Sequence, residues 1–522
     1  MRKVGLIAVL VVLAGMAWYF IAGASTATNS SASTSTPQGN GDDQQDLIVV
    51  TPWELTAMDP SKSGFIFQRL QIAETLVDAK QNAELQPMLA QSWSSNDKGD
   101  VWTFVLRDDV AFHDGSPLTA DDVVKSLQVA LTKPTALESA AISNIKAIDS
   151  KTVEITLDKP LMSFPAYLAH ATSIILASAS FDENNEVTKL LGTGPYYVTK
   201  FEPPQKIEQK AFADYWGEKA KIQDITYLAN SRSETRTLLA QSKPNYLVFT
   251  LDSASLTRLQ QDPNLQVQSK SLARTIEYKV NADNPLFRDV AVRQALSDAI
   301  DRQGLARSVM HAENAAAAQI LPPIFKDWQI KTPTQTPEPA AIKQRLLDAG
   351  FTVDSNGMLQ KNGKPFKFTL RTFSDRPELP IIATALQAQW KKIGVDVDVS
   401  VGNFSDIPAG HQDGTLEMGL YARNYGMTPD PVGSLIEDFD PNGSDWGVMN
   451  WQNAALSKDL LTLETTKGND VATKKRVSQI IFDERPVVPV VYYQQNAAAH
   501  KSLKGLEIDG LERNFYLNKL SW

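Results

Sequence analysis

The chain has 522 residues, with 51 Lys and Arg against 60 Asp and Glu for a formal net charge of −9, and it contains no cysteine. That length leaves room for two or three domains with sizeable buried cores. A net negative chain with no basic run to follow a phosphate backbone argues against nucleic-acid binding, and the lack of cysteine excludes disulfides, thiolate metal sites, a cysteine nucleophile and lipid attachment through an N-terminal cysteine.

Arg2 and Lys3 are the only positive side chains before Lys62, and residues 4–22 are almost wholly apolar. This is the pattern of an export signal whose N-terminus stays in the cytoplasm. Ala22-Gly23-Ala24 fits a small-x-small cleavage site, yet the apolar run is also close to the length that spans a bilayer. Residues 1–24 therefore read as a signal peptide or membrane anchor. Residues 25–45 are rich in Ser, Thr, Asn, Gln and Gly without apolar periodicity, and read as a flexible tether that would span roughly 25 Å.

Residues 47–50 predict a short buried strand. Apolar positions at helical spacing over 64–79 predict a helix with Phe65, Leu70, Ile72, Leu76 and Val77 in the core. The most punctuated stretch is 90–131. There Trp102, Phe104 and Leu106 alternate along a strand that ends in Arg107-Asp108-Asp109, and residues 110–112 are expected to pair back as a second strand. Asp114-Gly115 is a turn, Pro117 stops the strand, and Thr119 with Asp122 forms a capping box opening a helix with Val123, Val124, Leu127 and Leu131 on its apolar face. Residues 145–157 predict two strands about a turn at Asp149-Ser150.

Gly192-Thr193-Gly194-Pro195 begins like a dinucleotide loop, but the third glycine would fall at Tyr197 and the match fails. Residues 231–241 start an amphipathic helix, 246–250 form a strand, and 275–280 alternate toward Asn281. A long helix is expected over 290–310, with Val292, Ala295, Leu296, Ala299 and Ile300 buried. A strand at 366–371, a helix at 379–393 and a strand at 395–401 make the alternation that a βαβ unit needs. Another strand follows Arg485-Pro486 at 487–493.

Catalytic patterns fail on their missing partners. The five histidines, at 113, 170, 311, 411 and 500, show no zinc-hydrolase spacing. Ser95-x-x-Lys98 and Ser143-x-x-Lys146 lack the Lys-Thr-Gly strand of penicillin-binding enzymes, which argues against an anchored hydrolase. Asp438-x-Asp440-x-Asn442-Gly443 starts like a calcium loop but has Met449 where Glu is needed. No enzyme activity, metal or cofactor is implied.

As an ordered set, LAQSW, WTFVLRDDVAFHDG, PLTADDVVKS, LGTGPYYVTKF, DYWG, FRDVAVRQALSDAIDR, RLLDAGF and KKIGVDVDV resemble the family 5 solute-binding proteins, the extracytoplasmic receptors of ABC importers for peptides, nickel and related ligands. The absence of an N-terminal helix-turn-helix argues against a sugar-sensing regulator built on the same domain. The resemblance implies an α/β, two-lobed, type II periplasmic-binding-protein-like fold with an accessory α+β domain inserted in lobe I. Lobe I would comprise 46–64, 191–274 and 486–522, the accessory domain 65–190 and lobe II 275–485. It further implies a monomer outside the cytoplasmic membrane that closes on a small ligand, a peptide or a small anionic peptide-like molecule, and presents it to ABC permease subunits. The alternative ligand is nickel or another metal as an organic chelate.

The resemblance also directs attention to residues 420–435. Peptide-binding relatives carry there an aspartate for the ligand's amino group, where this chain has Tyr425. The nickel branch has an Arg-x-aromatic-Gly run like Arg423-Asn424-Tyr425-Gly426, but its pocket arginines correspond to Thr132 and Thr172 here. The expected ligand contacts are Arg423 as a carboxylate clamp, Tyr421 and Tyr425 as apolar walls, Asn424, Asp430, and Trp53 in the first ligand-side loop.

Overall fold

The computed structural model describes residues 46–333, 336–441 and 443–522. The expected signal or anchor and the tether lie outside the described residues. Ten strands form one mixed sheet, in the order Asp396–Gly402, Lys367–Phe373, Met418–Asn424, Leu265–Val280, Val487–His500, Tyr246–Phe249, Leu47–Thr51, Asp224–Ala229, Lys206–Ala211 and Tyr196–Glu202.

Two long antiparallel strands at its middle, Leu265–Val280 and Val487–His500, organise the molecule. Residues 265–271 of the first pair with 494–500 of the second, and 275–279 pair with 487–492, with a register shift between Ser271 and Thr275. One end joins the sheet that carries Leu47–Thr51, where Val49, Tyr196, Tyr227, Phe249 and Leu517 share a core. The other end joins Met418–Asn424, where Tyr278, Leu296, Phe368, Leu386 and Trp390 form a second core. Separate cores joined by two continuous strands are what a hinged two-lobed protein needs, because the lobes can rotate by bending those strands without breaking either core. Both strands extend well beyond the predicted 275–280 and 487–493. Residues 275–280 are buried throughout rather than alternately, since the strand has neighbours on both edges and packing on both faces.

A third core lies under an antiparallel sheet ordered Ala90–Ser95, Val101–Leu106, Thr152–Leu157 and Ile142–Asp149, covered by the helix Ala120–Leu131. The capping box forms: Thr119 Oγ1 accepts from the Asp122 N–H, and an Asp122 carboxylate oxygen accepts from the Thr119 N–H at 3.2 Å. Such a cap contributes about 1 kcal/mol. The expected strand at 110–112 does not form, and only an isolated bridge joins Ala111 to Pro117. Val101–Leu106 already has a partner on each edge, leaving none for a third strand.

Two predicted helices are cut by their own start and stop residues. The helix expected over 64–79 is Pro60–Arg69: Asp59 caps it, Pro60 stands in its first turn, and Gln71 at φ +56° turns the chain away. Val77–Ala79 is instead a strand paired with Leu85–Pro87, and Phe65 is 37% exposed rather than core. The helix expected over 290–310 is two, Val290–Asp298 and Arg302–Ser308, because the Asp301 carboxylate caps the second by accepting from the Gly304 N–H. The Gly192–Gly194 turn has a packing reason. A Cβ on Gly194 would stand 2.1 Å from the Gln71 carbonyl oxygen, and one on Gly192 2.3 Å from that of Ile72.

Candidate functional site

The six residues singled out in the sequence fall into distinct environments. Arg423 ends the strand Met418–Asn424 with its charge already matched: Nε donates to Asp438 at 2.7 Å and Nη2 to Glu437 at 3.0 Å, both on the helix Val432–Phe439. Burial disfavours the guanidinium charge, but the two carboxylates more than offset it and hold the pKa above its ordinary value. Tyr425 is fully buried, with its hydroxyl donating to Glu277 at 3.0 Å, and Tyr421 is 2% exposed, with its hydroxyl on the Trp446 carbonyl at 2.9 Å. These rings are core residues behind the lobe surface, not the apolar walls expected of them. Asp430 accepts from the Val432 N–H at 3.0 Å and so starts the helix that carries Asp438.

Asn424 and Trp53 meet at a second cluster, formed where the lobes join. Arg69, the last residue of the helix Pro60–Arg69, lies 4.3 Å above the Trp53 ring. Its Nε donates to the Glu512 backbone carbonyl at 2.6 Å, and its Nη2 lies 3.6 Å from the Glu512 carboxylate. Arg274 stands at the register shift of the crossing strand, opposite Asn424. Its Nη2 donates to Glu512 Oε2 at 2.9 Å, and Asn424 Nδ2 donates to the same oxygen at 3.2 Å. Arg376, on the loop before the helix Glu378–Lys391, shares the Tyr493 ring with Arg274, at 5.1 and 5.6 Å from its centre.

The side chains of Arg69, Arg274 and Glu512 are 9, 14 and 8% exposed. Burial pushes the Glu512 carboxyl up, but the charges of Arg274, Arg69 and Arg376 outweigh it and hold the pKa below the usual range. Glu378 also bears on Tyr493. Three guanidiniums thus face Glu512, the carboxylate in ion-pair contact with two of them among the described residues, while Asp509 acts on Arg69 and Glu378 on Tyr493 without such contact. Arg274 Nε is buried without a partner there. Three guanidiniums act on the one Glu512 carboxylate, in a setting where a carboxylate gains more than it would in water. Sequence reasoning missed Arg69, Arg274, Arg376, Tyr493 and Glu512. Arg274 and Tyr493 had a signal, since Arg274 directly precedes the expected lobe boundary at Thr275 and Tyr493 ends the expected strand 487–493.

The remaining chemistry is structural. A cavity of about 270 Å³ lies between the hairpin 77–87 and the C-terminal segment, lined by Glu74, Asp78, Asp509, Arg513 and Tyr516 among others. Arg513 pairs with Asp78 at 2.6 Å. Glu74 accepts from Thr193, Tyr215 and Trp216, yet burial pushes its carboxyl up to about 7. Among the described residues no group of three His, Asp or Glu is placed to hold a metal ion. Ser143 Oγ donates to the Thr156 carbonyl and Lys146 pairs with Glu154, so neither serves a nucleophile. Asp438 is committed to Arg423, not to a calcium loop. No helix among the described residues is long and apolar enough to cross a membrane.

Residues 84–446 match the family described as bacterial extracellular solute-binding proteins, family 5. The nickel-binding periplasmic protein of Escherichia coli (strain K12) is 26% identical over 412 residues, covering 76% of this chain and 78% of the relative. The oligopeptide-binding protein AppA of Bacillus subtilis (strain 168) is 27% identical over 531 residues, covering 97% and 96%. Among solved structures, a nickel ABC transporter protein from Bacillus halodurans superposes with a TM-score of 0.79 at 25% identity, over 91% of this chain and 99% of the other.

Proposed function

The chain belongs to the bacterial extracellular solute-binding proteins of family 5, an extracytoplasmic receptor of an ABC importer and not an enzyme, and from that premise we propose that its solute is a peptide or small peptide-like molecule bound through a carboxylate. The observation that carries this reading is the convergence of three guanidiniums at the lobe junction, Arg69 from the end of the helix Pro60–Arg69, Arg274 from the crossing strand and Arg376 from lobe II. A guanidinium presents paired donors that match a carboxylate's two oxygens. Trp53 and Tyr493 supply the flat surfaces beside them, and Asn424 adds a neutral donor. Arg423, Tyr421, Tyr425 and Asp430 shape the site from behind by fixing the strand that carries Asn424. A solute that touches both lobes favours the closed state by the difference in its affinity for closed and open forms. The closed receptor is then what permease subunits recognise.

We assign residues 46–64, 191–274 and 486–522 to lobe I, 275–485 to lobe II and 65–190 to an accessory domain; the separate core of residues 76–177 supports the accessory domain, while Ile66, Phe67, Leu70 and Leu190 at its edges pack in the core of lobe I. The receptor acts as a monomer, with residues 1–24 removed as a signal or kept as an anchor. The second reading, nickel or another metal as an organic chelate, is favoured by the nickel-binding relatives. A chelate with outward carboxylates would meet the same guanidiniums, its metal held by its own chelator.

Calorimetry with tri-alanine, its C-terminal amide and nickel–histidine tests the choice, with solution scattering on each mixture. Binding of tri-alanine with a smaller radius of gyration, abolished by amidation, is expected. Binding of nickel–histidine alone would promote the second reading. Equal binding of tri-alanine and its amide would remove the carboxylate from the account.

A further inference from the structure

We propose that Glu512 is a tethered counter-ligand: its carboxylate occupies the place between Arg69 and Arg274 that a solute carboxylate takes, and the solute binds by displacing it. This deepens the reading of an anionic solute and rests on it.

Glu512 is presented in an unusual way. It lies in neither helix nor strand, at the end of a turn in which its N–H donates to the Asp509 carbonyl at 3.1 Å, and its φ is +60°. That region favours glycine, so the turn holds Glu512 at a backbone cost. The Asp509 carboxylate fixes the same turn by accepting from the N–H groups of Leu511 and Arg513 at 3.0 and 2.8 Å. The mount is therefore independent of the Glu512 carboxylate. Arg69 is also anchored independently, because its Nε donates to the Glu512 backbone carbonyl. If the side chain swings out, Arg69 keeps that bond and Arg274 keeps the Tyr493 ring, and the two lose one shared carboxylate.

What Glu512 leaves behind is a ready anion site. Arg274 Nη2 and Asn424 Nδ2 converge on one oxygen, Oε2, while Arg69 Nη2 faces the other. Arg274 Nε has no partner among the described residues, so even the occupied cluster holds an unused donor. A covalently attached competitor acts at an effective concentration in the millimolar range. Free carboxylates at lower concentration would not displace it, whereas a solute with further contacts to both lobes would. Glu512 thus selects against bare small anions and lowers apparent affinity by the fraction of time it occupies the site. A carboxylate that instead received a solute ammonium would not stand in contact with two guanidiniums, as Glu512 does.

The test uses Glu512→Gln, which keeps the shape, and Glu512→Gly, which vacates the site and suits the backbone. Each is compared with wild type by thermal shift and calorimetry against sodium acetate, ethylammonium chloride and tri-alanine at matched ionic strength. Saturable acetate stabilisation of Glu512→Gly that is absent from wild type is expected, together with tri-alanine binding at least tenfold tighter in Glu512→Gln. No gain of acetate or tri-alanine binding in either variant would overturn the proposal, as would ethylammonium binding that is lost on Glu512→Gln. Should Glu512→Gly fail to fold, the glutamine variant decides through tri-alanine. Acetate rescue needs only the arginines, so its success without any solute-induced compaction would fault the receptor reading alone. Compaction by tri-alanine that is indifferent to Glu512 would fault the counter-ligand alone.

Discussion

Arg274 and Glu512, 238 residues apart in sequence, meet at 2.9 Å with both side chains largely buried. A buried pair with one partner removed leaves an uncompensated charge, costing about 3–5 kcal/mol, whereas removing both is far milder. Glu512 keeps Arg69 at 3.6 Å when Arg274 is removed, so Arg274→Ala is expected to cost less than that range, about 1–3 kcal/mol, and the double variant with Glu512→Gln should depart from the sum of the single changes by at least about 0.5 kcal/mol. Urea unfolding of the two single variants and the double variant measures this coupling. Simple additivity would show that the pair is not energetically joined.

Arg423 separates a structural role from a solute contact. With its guanidinium on Asp438 and Glu437, Arg423→Ala should destabilise the protein by about 3–5 kcal/mol, and Asp438→Asn in the same chain should recover part of that loss. Solute affinity of the folded protein should change little. Intact stability with lost affinity would return Arg423 to the solute, as the sequence pattern suggested.

Glu74 makes stability pH-dependent. Its carboxyl is pushed by burial from 4.5 to about 7 in the folded protein, with Asp78 adding to the rise against three donated hydrogen bonds. Its favourable contribution is thus fully present below the unfolded value near 4.5 and is lost as pH rises through about 7. Relative to Glu74→Gln, the wild type should lose on the order of 3 kcal/mol across that window, read as melting temperature at several pH values. A constant difference between the two proteins would contradict the shift.

The N-terminal pattern predicts protein outside the cytoplasm. Edman sequencing of the mature form should begin at Ser25 if the Ala22-Gly23-Ala24 site is cut, or recovery should be in the membrane pellet with Met1 if the segment anchors the chain. Soluble, full-length protein in the cytosol would contradict both.

Local signals carried much of the fold and little of the site. The Thr119–Asp122 cap, the turn at Asp149-Ser150 and the strand–helix–strand run from 366 to 401 were legible because each depends on residues within one or two turns of each other. The errors came where a local stop outweighed apolar periodicity, as Asp301 did in cutting one helix into two. Tyr425 looked like a pocket wall because its neighbours suited a ligand loop, and only packing shows its hydroxyl turned inward to Glu277. Glu512 had no local signal at all. Its place among the arginines is set by a C-terminal segment that returns to Arg69, 443 residues upstream.

The most direct measurement is mass spectrometry of the small molecule released from natively purified protein, made on wild type and on Arg274→Ala. The expected result is a solute bearing a free carboxylate, released from wild type and depleted in the variant. A neutral solute such as a sugar, or a carboxylate solute retained equally by both proteins, would contradict the assignment of the arginine cluster as the binding site.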